Sequence, residues 1–153
     1  MNPWILTIIG TIMPILELRW GIPYAILNGI NPLKAFLVCV LLNILIIPII
    51  FFFLDYINKY LMRIKSWNKF FTYYLNKKID KVKRKYEVLG FFVLFLFVAI
   101  PFPGTGAYTG VLLAWFFKLD RKKSIVTIAL GVLAAGIITT MLTIFGISFF
   151  KLF

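Results

Sequence analysis

From Val88 to Phe117 the chain carries no charge, yet this run cannot be one straight helix in a membrane. At 1.5 Å per residue it would be about 45 Å long, against a hydrocarbon core of about 30 Å. Its middle reads Pro101-Phe102-Pro103-Gly104-Thr105-Gly106, and each proline removes a backbone donor and crowds the preceding turn. Basic residues flank both ends, Lys85 before it and Lys118 with Arg121-Lys122-Lys123 after it. Lys and Arg collect in cytoplasmic loops, so both ends are expected on the cytoplasmic face. The segment then enters and leaves by one side, as a re-entrant hairpin.

Composition supports lipid as the solvent. Of 153 residues, 62% are hydrophobic and only 14% are charged. A soluble domain of this size could not cover so much apolar surface. The length suits one membrane domain of roughly four to six segments. The net charge of +12 is concentrated in a stretch running from Lys59 through Arg63, Lys65 and Lys69 to Lys77, Lys78, Lys81, Lys83, Arg84 and Lys85. Beside an apolar span, that pattern reads as a cytoplasmic loop facing anionic lipid rather than a nucleic-acid arm. There is one cysteine, Cys39, and no histidine, which excludes an intrachain disulfide and a Cys/His metal site. Cys39 is expected to be an inert packing residue. The start of the chain lacks the basic region and small-residue cleavage site of a signal peptide.

The remaining segments repeat the hairpin plan in the opposite sense. The first half has an arm from Pro3 to about Leu16, a break from Glu17 to Pro23, a return arm to Ile30 and a long span from Pro32 to Leu54. The second has an arm from Leu89 to Ile100, a break from Pro101 to Gly106, a return arm to Lys118 and a span from Arg121 to Phe150. Asn31 and Asp120 are candidate caps for the two long spans. The expectation is an all-α polytopic membrane protein with two inverted-repeat re-entrant hairpins plus long transmembrane helices. Residues 1–54 form the first repeat, 55–87 a basic cytoplasmic linker and 88–153 the second repeat. In the linker, Ile57, Leu61, Ile64, Trp67, Phe71, Tyr74 and Val82 recur at mostly three- or four-residue spacing. They fit either an amphipathic helix on the leaflet or a helix that extends the first span.

Glu17 is the only acidic residue outside the cytoplasmic loops. An ionised carboxylate at membrane depth costs about 3 kcal/mol on insertion scales and needs a partner or a proton. Glu17 is therefore either a proton-binding or substrate-contacting group, or a surface residue that neutralises Arg19. Positions i and i+2 do not face each other in a regular helix, so a Glu17–Arg19 pair requires a broken turn. Arg19 offers a planar donor fork suited to phosphate or carboxylate; the alternative is an arginine reaching the interface. Gly104, Thr105 and Gly106 would open the second return arm, and Gly21 and Pro23 the first. Two half-helix N-termini, together with Arg19, would favour an anion; a structural kink is the competing account. Pro101 and Pro103 complete the candidate site. Gly131, Ala134, Ala135 and Gly136 suit helix packing. No nucleophile–base pair, P-loop or dinucleotide fingerprint occurs, and the chain is not expected to be an enzyme or to need a cofactor.

Glu17-Leu18-Arg19, Gly21-Ile22-Pro23 and the run from Pro101 to Ala107 carry a family resemblance. Over nearly its whole length the chain resembles the "putative small multidrug export protein" family, through the patterns E-x-R-x-x-I-P and P-x-P-G-T-G-A. That family is similar in plan to the DedA/VTT membrane proteins, which pair re-entrant hairpins with membrane spans. Their resemblance implies lipid-carrier transport or lipid scrambling, with proton dependence. The arginines of the second hairpin in many DedA proteins are absent here, so a mechanism needing them does not carry over. The resulting expectation is a transporter or lipid flippase/scramblase in the cell membrane, multi-pass, with loop 58–87 cytoplasmic. Its substrate would be an anionic lipid phosphate or small anion, with protons coupled through Glu17, membrane lipids around it and a homodimer as a candidate assembly. The rivals are a proton-coupled multidrug or cation exporter using Glu17, and a non-transporting membrane scaffold.

Overall fold

Pro14 ends the first helix. A residue before proline is driven out of the helical region, and Met13 is extended, at φ −66° and ψ 134°. In the structure, a computed structural model describing residues 2–61, 76–102 and 104–150, helix α1 therefore spans Pro3–Ile12, with the Asn2 side chain accepting from Trp4 N–H as its cap. Helix α2 begins at Glu17 and runs to Leu27. This corrects the expected position of the first break, which lies at Met13–Leu16 rather than Glu17–Pro23. Pro23 sits inside α2, where its missing N–H removes a single intrahelical bond. Gly21 and Pro23 accordingly lie within the return arm instead of opening it.

Helix α3 covers Pro32–Leu61, α4 Asn76–Ala99, α5 Ala107–Phe116 and α6 Arg121–Phe150. No strand occurs among the described residues. Asn31 and Asp120 do cap the two long helices, accepting from Leu33 N–H and Lys123 N–H, each at 2.9 Å. Ile57 and Leu61 continue α3, so this end of the linker extends the first long helix. Val82 falls in α4, while Ile64, Trp67, Phe71 and Tyr74 lie outside the described residues.

The two halves share one residue pattern at an interval of 89 positions. Gly21, Ala25 and Asn31 recur as Gly110, Ala114 and Asp120. Leu18, Gly21, Ile22 and Ala25 are the buried face of α2, and Ala107, Gly110, Val111 and Ala114 are the corresponding face of α5. Ala35, Cys39, Asn43, Ile47 and Ile50 are buried on α3 just as Ser124, Ile128, Val132, Gly136 and Thr139 are on α6. The helix ends match as well. Ile30 N–H donates to Ala25 O and Leu119 N–H to Ala114 O, both at 3.0 Å, through a left-handed residue at Gly29 (φ 83°) and Lys118 (φ 49°). This is the six-to-one closure of a helix C-terminus. At Gly29 the left-handed turn costs little, whereas Lys118 adopts it against its Cβ.

In the first half α1 and α2 pack together, in the second the apolar end of α4 and α5 do, and in each the long helix packs beside the pair. The long helices run antiparallel to each other. The Arg121 guanidinium lies over the Phe51 ring, while a Cβ at Gly136 would meet Val40 and Phe36. Both long helices have the length and apolar composition to cross a membrane. Their outer faces expose Leu45, Ile49 and Phe52 on α3 and Leu142, Phe145 and Phe149 on α6, a larger apolar surface than a water-soluble monomer normally shows.

Between helices surrounded by lipid, close packing rather than water exclusion provides the cohesion. Small residues mark the contacts. A Cβ on Gly110 would lie 2.7 Å from Val98 Cγ2, and one on Gly131 2.8 Å from Val98 Cβ and 3.1 Å from the Phe95 carbonyl. Gly131→Ala should therefore push α4 from α6 and destabilise the protein by about 1–3 kcal/mol. Gly146 meets nothing within 4 Å, and Gly146→Ala should leave the melting temperature unchanged or raise it. A melting series in detergent compares them directly; equal melting temperatures would remove the tight α4–α6 contact from the account.

Candidate functional site

The first residue of α2 has an unusual backbone. Glu17 has φ 50°, a left-handed value that costs a side-chain-bearing residue about 1–2 kcal/mol. Its neighbourhood compensates. Only 4% of Glu17 is exposed, and Oε2 accepts from Arg19 Nη1 at 2.7 Å. The break before α2 is what lets residues two apart face each other, as the pairing required. The Glu17 oxygens also accept from the Ala107 and Tyr108 amides of the chain's second half, each at 3.3 Å. Those amides open α5, where the first turn has no intrahelical acceptor. A carboxylate there meets unpaired donors and the positive end of the helix dipole.

Gly106 makes room for this contact. It is the N-cap of α5, and any Cβ on it would collide with the Glu17 carboxylate. Gly106 and Glu17 are also counterparts at the 89-residue interval. The second tip holds its shape through Thr105, whose hydroxyl bonds the carbonyls of Ile100 at 2.8 Å and Phe102 at 2.9 Å. Gly104 turns at φ 86° with open space around it. Pro103 lies outside the described residues.

Arg19 ties the tips together from the other side. Its Nη2 donates to the carbonyls of Val98 (3.0 Å), Ile100 (3.1 Å) and Thr105 (2.7 Å). Val98 and Ile100 lie at the end of α4, where carbonyls run out of helical partners. Tyr108, the repeat counterpart of Arg19, does the reciprocal job by donating its hydroxyl to the Ile12 carbonyl at the end of α1. Each return arm therefore caps the end of the other half's entering arm. Tyr108→Phe should cost about 0.5–1.5 kcal/mol, read as a lower melting temperature; an unchanged value would show this cap to be dispensable.

Beside the tips lies a cavity of about 660 Å³, walled by Arg19, Pro23 and Pro101 and by Thr139, Leu142, Thr143 and Gly146 of α6. Arg19 is the only charged residue among its described walls. Two buried polar atoms here lack partners among the described residues, Arg19 Nε and the hydroxyl of Thr139, a residue only 6% exposed. Glu17 is not a wall. Gly21 is not a wall either and packs on Thr11 and Cys39; Cys39 is buried and accepts from the Thr11 hydroxyl at 3.3 Å, a packing role as expected. Of the sequence candidates, Glu17, Arg19, Thr105 and Gly106 form one cluster, and Pro23 and Pro101 join it through the cavity. Tyr108 and Thr139 were not anticipated. The repeat interval would have drawn attention to Tyr108 as the counterpart of Arg19, whereas no sequence signal marks Thr139. A separate cluster joins Asp55 to Arg121 at 2.7 Å and to Trp115 Nε1 at 3.0 Å; half-exposed, that ion pair contributes about 0–1 kcal/mol.

With only helices among the described residues, two of them apolar and long enough to span, and a charge pair buried between helix ends, the chain has the features of a membrane protein. The chain belongs to the family described as "Putative small multi-drug export protein", whose pattern matches residues 17–138. That match begins at Glu17, just after the first break, and includes the second tip. No curated protein and no solved structure matches the chain.

Proposed function

We propose that this membrane protein is an exporter-type transporter or lipid flippase that moves anionic amphiphiles past the paired tips. The observation that carries this reading is the apolar cavity whose one charged wall is Arg19. An apolar recess with a single guanidinium suits an alkyl chain bearing a phosphate or carboxylate. The family description names multi-drug export, which agrees with a cavity large enough for a small organic molecule. The apolar parts of the paired helices, Pro3–Ile12, Val88–Ala99 and Ala107–Phe116, are each about half a bilayer deep by helix rise, which supports the re-entrant reading. Asp55, Lys118 and Arg121 gather at one end of the protein, which supports a cytoplasmic base for the second pair. The cation-export alternative is less well served, because Glu17 is enclosed by donors rather than presented to the cavity.

The test is translocation in reconstituted vesicles. Wild type should move a fluorescent phosphatidylglycerol analogue, and Arg19→Ala should slow it about tenfold or more, the equivalent of one charge-assisted hydrogen bond. An unchanged rate contradicts the proposal. Transport of ethidium, with ethidium shielding Glu17 from carbodiimide, would favour the cation exporter. Loss of function on deleting Lys59–Lys85, with Arg19→Ala still active, would favour the scaffold.

A further inference from the structure

We infer that Glu17 is an internal stand-in for the substrate's anionic head group, occupying the site formed by the Arg19 guanidinium and the Ala107 and Tyr108 amides. The inference rests on the anionic-amphiphile reading above and says how its site is kept closed. Three donors from two halves of the chain converge on one carboxylate. None of them needs a carboxylate specifically; a phosphate or carboxylate oxygen of a ligand satisfies the same geometry.

Several features indicate that the docked state is built for exchange. Glu17 reaches its place through a left-handed backbone, so its release relieves local strain. Gly106 leaves the docking volume free of any side chain. Arg19 is shared, with Nη1 on Glu17 and the residue itself on the cavity wall. The cavity also supplies a ligand-directed observation independent of the helix end. Arg19 Nε and the Thr139 hydroxyl, the latter on a residue more than nine-tenths buried, are shielded from solvent and have no partner among the described residues. A head group arriving along the cavity would meet Arg19 on its wall, gain these two donors as the tips part, and replace Glu17 on Arg19 and on the α5 amides. The released carboxylate would unfasten tip from tip, so ligand binding and opening become the same event. Atoms are only re-paired in this exchange; no covalent step is involved.

The competition has a distinctive sign. If Glu17 occupies the ligand's site, removing its charge raises the binding-competent fraction and tightens apparent affinity. If Glu17 is only a structural brace, its removal loosens the site and weakens binding. The probe is dodecyl phosphate, titrated calorimetrically into the full-length protein in a neutral maltoside detergent, with inorganic phosphate as the second arm. Glu17→Gln and Glu17→Ala should each bind dodecyl phosphate about tenfold more tightly than wild type. Adding Arg19→Ala should abolish the gain, and inorganic phosphate should bind far more weakly than the alkyl phosphate. Glu17→Gln keeps the side-chain volume and serves where Glu17→Ala fails to fold. Arg19-dependent binding that is unchanged or weaker in the Glu17 variants overturns the stand-in inference alone. Binding by wild type that survives Arg19→Ala, or no binding by wild type and either Glu17 variant, overturns the anionic cavity as well. Equal affinity for inorganic and alkyl phosphate removes the cavity from the site and overturns the assignment.

Discussion

Gly106→Ala is expected to melt far below wild type and to lose transport, despite adding one methyl group. The backbone at Gly106, φ −103° and ψ −160°, is one that alanine adopts freely, so no conformational strain is involved. The new Cβ would lie within the Glu17 carboxylate. The carboxylate must leave its site, and both Arg19 and the α5 amides lose an acceptor in a buried setting. Breaking a buried charge pair in this way costs about 3–5 kcal/mol. Gly104→Ala is the control: nothing lies within 4 Å of its Cβ, and only the left-handed backbone opposes it, at about 1–2 kcal/mol. Thermal unfolding in one detergent should therefore rank wild type above Gly104→Ala and that well above Gly106→Ala. A reversed order would remove Glu17 from contact with the second tip.

Arg19→Ala is expected to have an effect of the same size for a different reason. It leaves Glu17 without its counter-ion and leaves the Val98, Ile100 and Thr105 carbonyls without their shared donor. The cost should again be about 3–5 kcal/mol. The two charges form one network, so their effects should not add. In a double-mutant cycle, Glu17→Gln with Arg19→Ala should recover about 1–3 kcal/mol relative to the sum of the single changes. Arg19→Lys should restore the charge but little of the stability, because an ammonium lacks the planar fork that reaches Glu17 and three carbonyls together. Additive single effects, or full rescue by lysine, would reduce Arg19 to a bare counter-charge.

The sequence revealed the second tip more clearly than the first. In the run from Pro101 to Gly106, proline and glycine agree with the end of the apolar arm, and α5 does begin at Ala107. In the first half, Pro14 and Pro23 compete as breakers, and Gly21 beside Pro23 made the later position attractive. Position within a helix decides between them. Pro14 fixes Met13 in an extended conformation, while Pro23 needs only one bond to be forgone in a helix that neighbours already hold. Glu17 and Arg19 stood out because charges are costly in apolar surroundings. Their partners did not, since most are backbone groups of the other half, and no local pattern shows which carbonyls and amides a fold will leave unpaired. The internal repeat was visible in segment order; Gly21 with Ala25 and Gly110 with Ala114 carry it in residue identity too. Thr139 looks like any other threonine of an apolar helix until α6 is set beside the cavity.

The central claim is that both tips meet within the membrane, around Glu17 and Arg19. Nitroxide labels report depth directly, through their relative exposure to oxygen and to a water-soluble nickel chelate. Ile15 is 81% exposed on the first tip and Phe102 65% exposed on the second, so both tolerate a label without disturbing the buried pair. In a Cys39→Ala background reconstituted into lipid, cysteine labels at the two positions should report the same depth, within about 5 Å of the bilayer centre by helix rise from either face. A label at head-group depth in either position would contradict two half-depth pairs meeting at their tips.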